Sequence, residues 1–171
     1  GYDAVRRLEN LPEIAKDELK LPELAFMLTT DLAVYDHLKG SVTLIANAIN
    51  WDGSDARVDQ AYESALSRLS KMRSDLQKEI PSTVAQIPVP QKPVFGANFT
   101  SEEFQNRVLK IKEEIKSGEA FQVVLSQRFT IDCPADAIDV YRMLRLSNPS
   151  PYMYLFRFAN DLNVVGSSPE A

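Results

Sequence analysis

Four prolines, Pro81, Pro88, Pro90 and Pro93, cluster in the middle of this 171-residue chain. Proline has no backbone N–H and a fixed φ, so neither a helix nor a central ladder strand runs through such a stretch. The chain must therefore fold as two packed pieces, 1–80 and 99–171, joined by an extended connector over 81–98.

In the first piece, β-rich stretches flank the segment Asp36-His37-Leu38-Lys39-Gly40. They predict strands near 31–36 and 41–48, with Gly40 taking the positive φ of the hairpin loop. His37, the only histidine, falls in that loop with no acidic or cysteine partner at ligand spacing, which marks it as a solvated turn residue. From Asp55 to Ile80 the positions Val58, Tyr62, Ala65, Leu69, Met72 and Leu76 recur at steps of four and three. That spacing predicts one long amphipathic helix packed on its own sheet, with Ser54 and Asp55 as caps and Pro81 as the stop.

In the second piece, Thr100 and Glu103 have capping-box spacing, Phe104, Val108, Ile111 and Ile115 line one helical face, and Gly118 sits where that helix should end. The stretch 121–131, FQVVLSQRFTI, alternates in side-chain character and predicts the strongest strand. A further helix is predicted at 136–147, started by Asp136 and closed by Asn148-Pro149. A hairpin follows, from Tyr152 to Phe158 and from Leu162 to Val165, around Ala159-Asn160-Asp161.

Composition excludes several classes. With 44% apolar and 25% charged residues the chain is globular rather than disordered. A net charge of −5 argues against nucleic acid or anionic membrane as a general partner. One cysteine, Cys133, rules out an intrachain disulfide and a cysteine-based zinc site, and it suits a reducing, cytoplasmic setting. No apolar run approaches the roughly 18–20 residues of a membrane span.

Generic catalytic motifs are missing: the sequence has no glycine-rich phosphate loop, no HExxH and no histidine near a serine nucleophile. Three local features carry the chemistry. Gln122, on the predicted strand, could orient a small nucleophile through its amide but could not deprotonate it, and a plain polar sheet face would read the same way. In SNPSPYMYLF, Pro149 and Pro151 restrict the backbone, so Tyr152, Met153 and Tyr154 are presented with little freedom left to lose on binding a flat aromatic ligand, while a helix stop feeding a core strand accounts for the same residues. In VVGSSPE, the amides after Gly166 could form an anion-binding turn, with Glu170 as an acid or hydrogen-bond partner, although a plain strand-to-turn transition is the better reading of these residues.

Taken in order, GEAFQVVLSQRF, RLSNPSPYMYLF and VVGSSPEA resemble the large subunits, component I, of the anthranilate synthases, within the chorismate-utilising enzymes. GYDAVRRLENLP at 1–12 and FMLTTDLAVYDHLKGSVTLIANA at 26–48 extend the resemblance over essentially the whole chain. Aminodeoxychorismate synthase component I, the alternative within the group, usually differs at NPSPYMY.

The resemblance implies an α+β fold with a large antiparallel β-sandwich and flanking helices. It also implies a reaction in which chorismate and ammonia give anthranilate and pyruvate, with Mg²⁺ bound and a glutamine amidotransferase subunit (component II) supplying the ammonia. By the same match 1–80 is the end of an N-terminal regulatory portion and 99–171 the start of the chorismate-binding catalytic domain. Asn148, Pro149, Pro151, Tyr152 and Met153 become candidates for a tryptophan feedback pocket. Gln122 stands where relatives that add water carry a lysine, which fits a nucleophile that needs orienting rather than deprotonating. Gly166, Ser167 and Ser168 match a motif near the active-site sheet and become candidate substrate contacts.

The resemblance further implies that the Mg²⁺-holding glutamates, the catalytic histidine and most groups for the chorismate carboxylates lie beyond Glu170, and that part of the tryptophan pocket lies before Gly1. The expectation is an internal piece of a longer enzyme, inactive alone and, through uncovered strand edges, prone to self-association. A non-catalytic tryptophan-binding or protein-interaction module is the alternative of a different class.

Overall fold

The structure, a computed structural model, describes residues 2–12, 16–80 and 92–170. It divides into two compact units: the elements between residues 2 and 80 together with Phe158–Asp161, and those from 92 to 157 and from 162 to 170.

In the first unit, strands β1 (Asp31–Asp36) and β2 (Ser41–Ala46) pair antiparallel, from Asp31 opposite Ala46 to Asp36 opposite Ser41. The loop between them is set by Asp36, whose carboxylate accepts from the amides of Leu38 at 3.0 Å and Lys39 at 3.1 Å. Gly40 follows at φ +62°, a conformation that costs glycine nothing. His37 is in this loop as expected, with its ring edge-on to Tyr35 at 4.6 Å.

Helix α1 (Val58–Asp75) follows a 3₁₀ turn at Asp55–Arg57 and packs against β2. Its start differs from expectation. Ser54 has the extended cap conformation but makes no side-chain cap bond; its amide and hydroxyl both donate to Asp52, at 3.1 and 2.9 Å. Its end differs too. The helix stops at Asp75, where Gln77 N and Lys78 N donate to the carbonyls of Ser74 and Asp75 in a tightening last turn, while Pro81 lies outside the described residues.

The apolar seam of α1 is only partly covered. Ala65 is buried and Leu69 and Met72 are half-buried, but Val58, Tyr62 and Leu76 are exposed. Arg68 joins helix to hairpin: its guanidinium pairs with the Asp31 carboxylate and donates to the Asn47 carbonyl at 2.8 Å, so it grips both chains at the open end of the hairpin.

In the second unit, β3 (Phe95–Ala97) pairs antiparallel with β4 (Phe129–Ile131). Residues 81–91 of the expected connector lie outside the described residues, and its later part contributes β3, just past the last of the clustered prolines. Helix α2 (Ser101–Ser117) has the expected capping box, with Glu103 N donating to the Thr100 hydroxyl and Thr100 N to the Glu103 carboxylate, and ends at left-handed Gly118. The predicted strand over 121–131 shortens to Phe129–Ile131 because only these residues lie opposite β3. Alternating side chains make a strand only where a neighbour takes the backbone groups, and upstream Phe121 and Val124 are exposed.

Helix α3 (Ala137–Ser147) leads into the hairpin of β5 (Tyr152–Arg157) and β6 (Asn163–Ser168). Asp136 caps α3 as expected, accepting from Ile138 N at 2.9 Å. Helices and antiparallel strands make the fold α+β, as expected. Among the described residues the strands form three antiparallel pairs, β1-β2 and β5-β6 as local hairpins and β3-β4 across the segment that carries α2. Among the described residues no helix is long and apolar enough to cross a membrane.

Candidate functional site

Two of the three sequence motifs come together on one ladder. The β5–β6 register sets Tyr152 opposite Ser168, Met153 opposite Ser167 and Tyr154 opposite Gly166. The register follows from the turn, where Asn160 (φ +58°) and Asp161 (φ +57°) both take the left-handed conformation that asparagine and aspartate tolerate better than other side chains.

Because side chains alternate along a strand, the hairpin has two distinct faces. Met153, Leu155, Val165 and Ser167 share the face toward α3, identified by the Ser167 hydroxyl, which donates to the Asn148 carbonyl at the end of α3 at 2.6 Å. Tyr152, Tyr154 and Phe156 share the opposite face, with the rings of Tyr154 and Phe156 stacked at 5.2 Å. Tyr152 and Met153, consecutive on β5, therefore lie on opposite faces of the hairpin.

Glycine at 166 lets this aromatic face lie close against the strand. A β-carbon there would overlap the Tyr154 ring, which lies directly over the glycine. The expected anion-binding turn at 166–168 is absent, since these residues belong to β6 and Gly166 does not take a positive φ. Their hydroxyls have partners within the unit. Ser167 holds Asn148, and Ser168 donates to the Glu170 carbonyl at 2.8 Å while accepting from its amide at 3.1 Å.

Helix α3 is tied to the hairpin at both ends. At its C-terminal end Asn148 N donates to Leu144 O at 2.8 Å, and Pro149 then disfavours helical backbone at Asn148. Ser150 donates to the Tyr152 carbonyl at 3.2 Å, so the segment bearing Pro149 and Pro151 is fastened from both sides. At the N-terminal end Arg157, the last residue of β5, donates to the Asp136 carboxylate at 2.7 Å. The amide of Ile138, the Arg157 guanidinium and, more weakly, Arg142 hold the Asp136 carboxyl below the usual range.

Gln122 is not part of this arrangement; it is exposed on the irregular segment between α2 and β4. Among the described residues no three histidine, cysteine, aspartate or glutamate side chains gather as a metal site. Sequence reasoning missed the pair Asp136 and Arg157, which are 21 positions apart and carry no local signal beyond opposite charge. It also missed a groove beside α1 containing Trp51, whose standing as the only tryptophan, in a loop with Gly53, was the available cue.

The model of the chorismate binding enzyme family matches residues 1–171. Anthranilate synthase component 1 of Mycobacterium tuberculosis is 53% identical over 176 aligned positions, which take in 100% of this chain and 34% of that protein. The protein of the same name from Mycolicibacterium smegmatis is 51% identical, over 100% of this chain and 33% of its own length. Among solved structures, anthranilate synthase component I from Streptococcus pneumoniae TIGR4 superposes with a TM-score of 0.76 at 28% identity, covering 99% of this chain and 37% of that one. The chain thus spans about a third of the length of the relatives it matches.

Proposed function

The chain belongs to the chorismate binding enzyme family, and from that premise we propose that it is part of an anthranilate synthase component I. In this reading the whole enzyme converts chorismate and ammonia to anthranilate and pyruvate with Mg²⁺, receives ammonia from a glutamine amidotransferase partner, and is inhibited by tryptophan. The reading carries a cytoplasmic setting, which suits a chain whose one cysteine is free. Likeness over the full length of the chain to proteins bearing that name is the observation that carries the proposal.

Within this reading the β5–β6 hairpin and α3 form a scaffold. Asn148, Pro149, Pro151, Tyr152 and Met153 contribute to the tryptophan pocket, Tyr152 and Met153 from opposite faces of β5, and the fastening of that segment through Ser150 and Ser167 supports this reading. Gly166, Ser167 and Ser168 shape the strand beneath the substrate. Gln122 orients ammonia once covered by further chain. Because Ser167 sits opposite Met153 and bonds to Asn148, a ligand that shifts the proline segment would pull directly on β6.

The test is a chimaera in which this chain replaces the matching third of the Mycobacterium tuberculosis component 1. Anthranilate fluorescence with chorismate, Mg²⁺ and ammonium should come within about tenfold of the unaltered enzyme, or about 1.4 kcal/mol of barrier. A folded, soluble chimaera without turnover would overturn the reading.

A further inference from the structure

We propose that the groove between the open end of the β1–β2 hairpin and the first turns of α1 binds a small flat carboxylate, its acid group on Arg57 and its ring on Trp51. The groove is a cavity of about 340 Å³ formed entirely by residues between Thr30 and Arg68. That volume suits one small organic molecule. Ala61 and Ser64, small residues one turn apart on α1, leave the space open.

The two arginines of the groove play different parts. Arg68 is held by the Asp31 carboxylate and the Asn47 carbonyl, so it closes one end as a fixed wall. Arg57 pairs with Asp52 through Nε at 3.2 Å and lines the groove, so its fork can be shared with a second acceptor. A guanidinium fork offering parallel N–H groups matches the two oxygens of a carboxylate.

Trp51 supplies the second half of the recognition. The residue is 75% exposed, with a large apolar ring, in a loop that is already shaped. Asn50 donates to the Ser54 carbonyl at 2.7 Å, and Ser54 donates twice to Asp52. Such a loop has little ordering left to undergo when a ligand arrives. Each arginine already has a carboxylate beside it, so a bare anion gains little, and the flat body against the indole decides the selectivity. The proposal stands on the first unit's own residues and does not depend on the reaction assigned to the whole enzyme.

The experiment uses the 171-residue chain and its single tryptophan as reporter, with sodium benzoate as the probe. Benzoate should change Trp51 emission saturably with submillimolar affinity, while acetate, which lacks the ring, and benzamide, which lacks the charge, should not. Arg57→Gln should weaken benzoate binding about tenfold or more while far-UV circular dichroism stays unchanged. Shifts of the Asn47 and Gln60 side-chain amide signals on titration provide a second readout. No saturable change up to about 10 mM benzoate, an equal response to acetate, or unaltered affinity in Arg57→Gln would each overturn the proposal.

Discussion

The Ser167 hydroxyl donates a 2.6 Å hydrogen bond to the carbonyl of Asn148, so the strand carrying one sequence motif holds the helix end that begins the other. Ser167→Ala leaves that carbonyl without its donor and should destabilise the second unit by about 1 kcal/mol. Urea unfolding followed by circular dichroism measures this, and Ser167→Thr, which keeps the hydroxyl, should recover most of the loss. Equal destabilisation in both variants would show that packing, not the bond, matters there.

Gly166→Ala should displace the Tyr154 ring and cost about 1–3 kcal/mol, the usual range for inserting atoms into a packed contact. Combining it with Tyr154→Ala removes the overlapping ring. The double variant should therefore lose less than the two single losses together, a coupling that a double-mutant cycle in urea reads directly.

Acid should loosen the end of α1. Hydrogen bonds from Lys71 and then Lys78 lower the Asp75 carboxyl from 3.8 to about 2. A carboxyl depressed in the folded state adds stability that is present in full above the unfolded value and is lost as pH falls through the folded one. The last turn of α1 should thus weaken between about pH 4 and about 2. Asp75 is exposed, so the effect is local. Carboxyl chemical shifts across that window test it, and in Asp75→Asn the helix-end signals should no longer move with pH.

The chain by itself should give no anthranilate above blank with chorismate, ammonium and Mg²⁺, because it spans 34% of its named relative and gathers no metal ligands among its described residues. Fluorescence detection of the product decides this, and measurable turnover would reject the division of labour proposed for the whole enzyme.

Each two-stranded sheet has two outer edges, and large apolar side chains such as Phe95, Val108, Phe129 and Tyr152 are exposed in the second unit. Such edges recruit further strands. Sedimentation velocity should show species larger than a monomer growing with concentration; a sharp monomer boundary at every concentration would count against it.

What the sequence disclosed depended on distance along the chain. The limits of α2 were legible because Thr100, Glu103 and Gly118 act within a turn of the residues they terminate. The β1–β2 loop was legible for the same reason, through Gly40. The strand at 121–131 was overread because alternation describes a side-chain pattern, whereas a strand also needs a partner, and β3 reaches only its last three residues. The segment from Gly166 to Ser168 looked like a turn for its small residues. It is a strand because Tyr154 lies over the glycine and Asn148 accepts from Ser167, contacts that exist only once the hairpin register is set. At the candidate site the motifs themselves were visible, but their placement side by side was not, and neither was the tie between Asp136 and Arg157.

The left-handed pair Asn160 and Asp161 has a consequence for how this region can vary. Side chains on a strand follow an odd-even rule, so adding or deleting one residue in this bend while the first strand stays fixed would exchange the parity of the second. Ser167 would then turn away from the helix and Ser168 would take its place. Length changes here should be tolerated in twos and resisted in ones, which makes this short bend the point where the geometry of the whole motif pair is counted out.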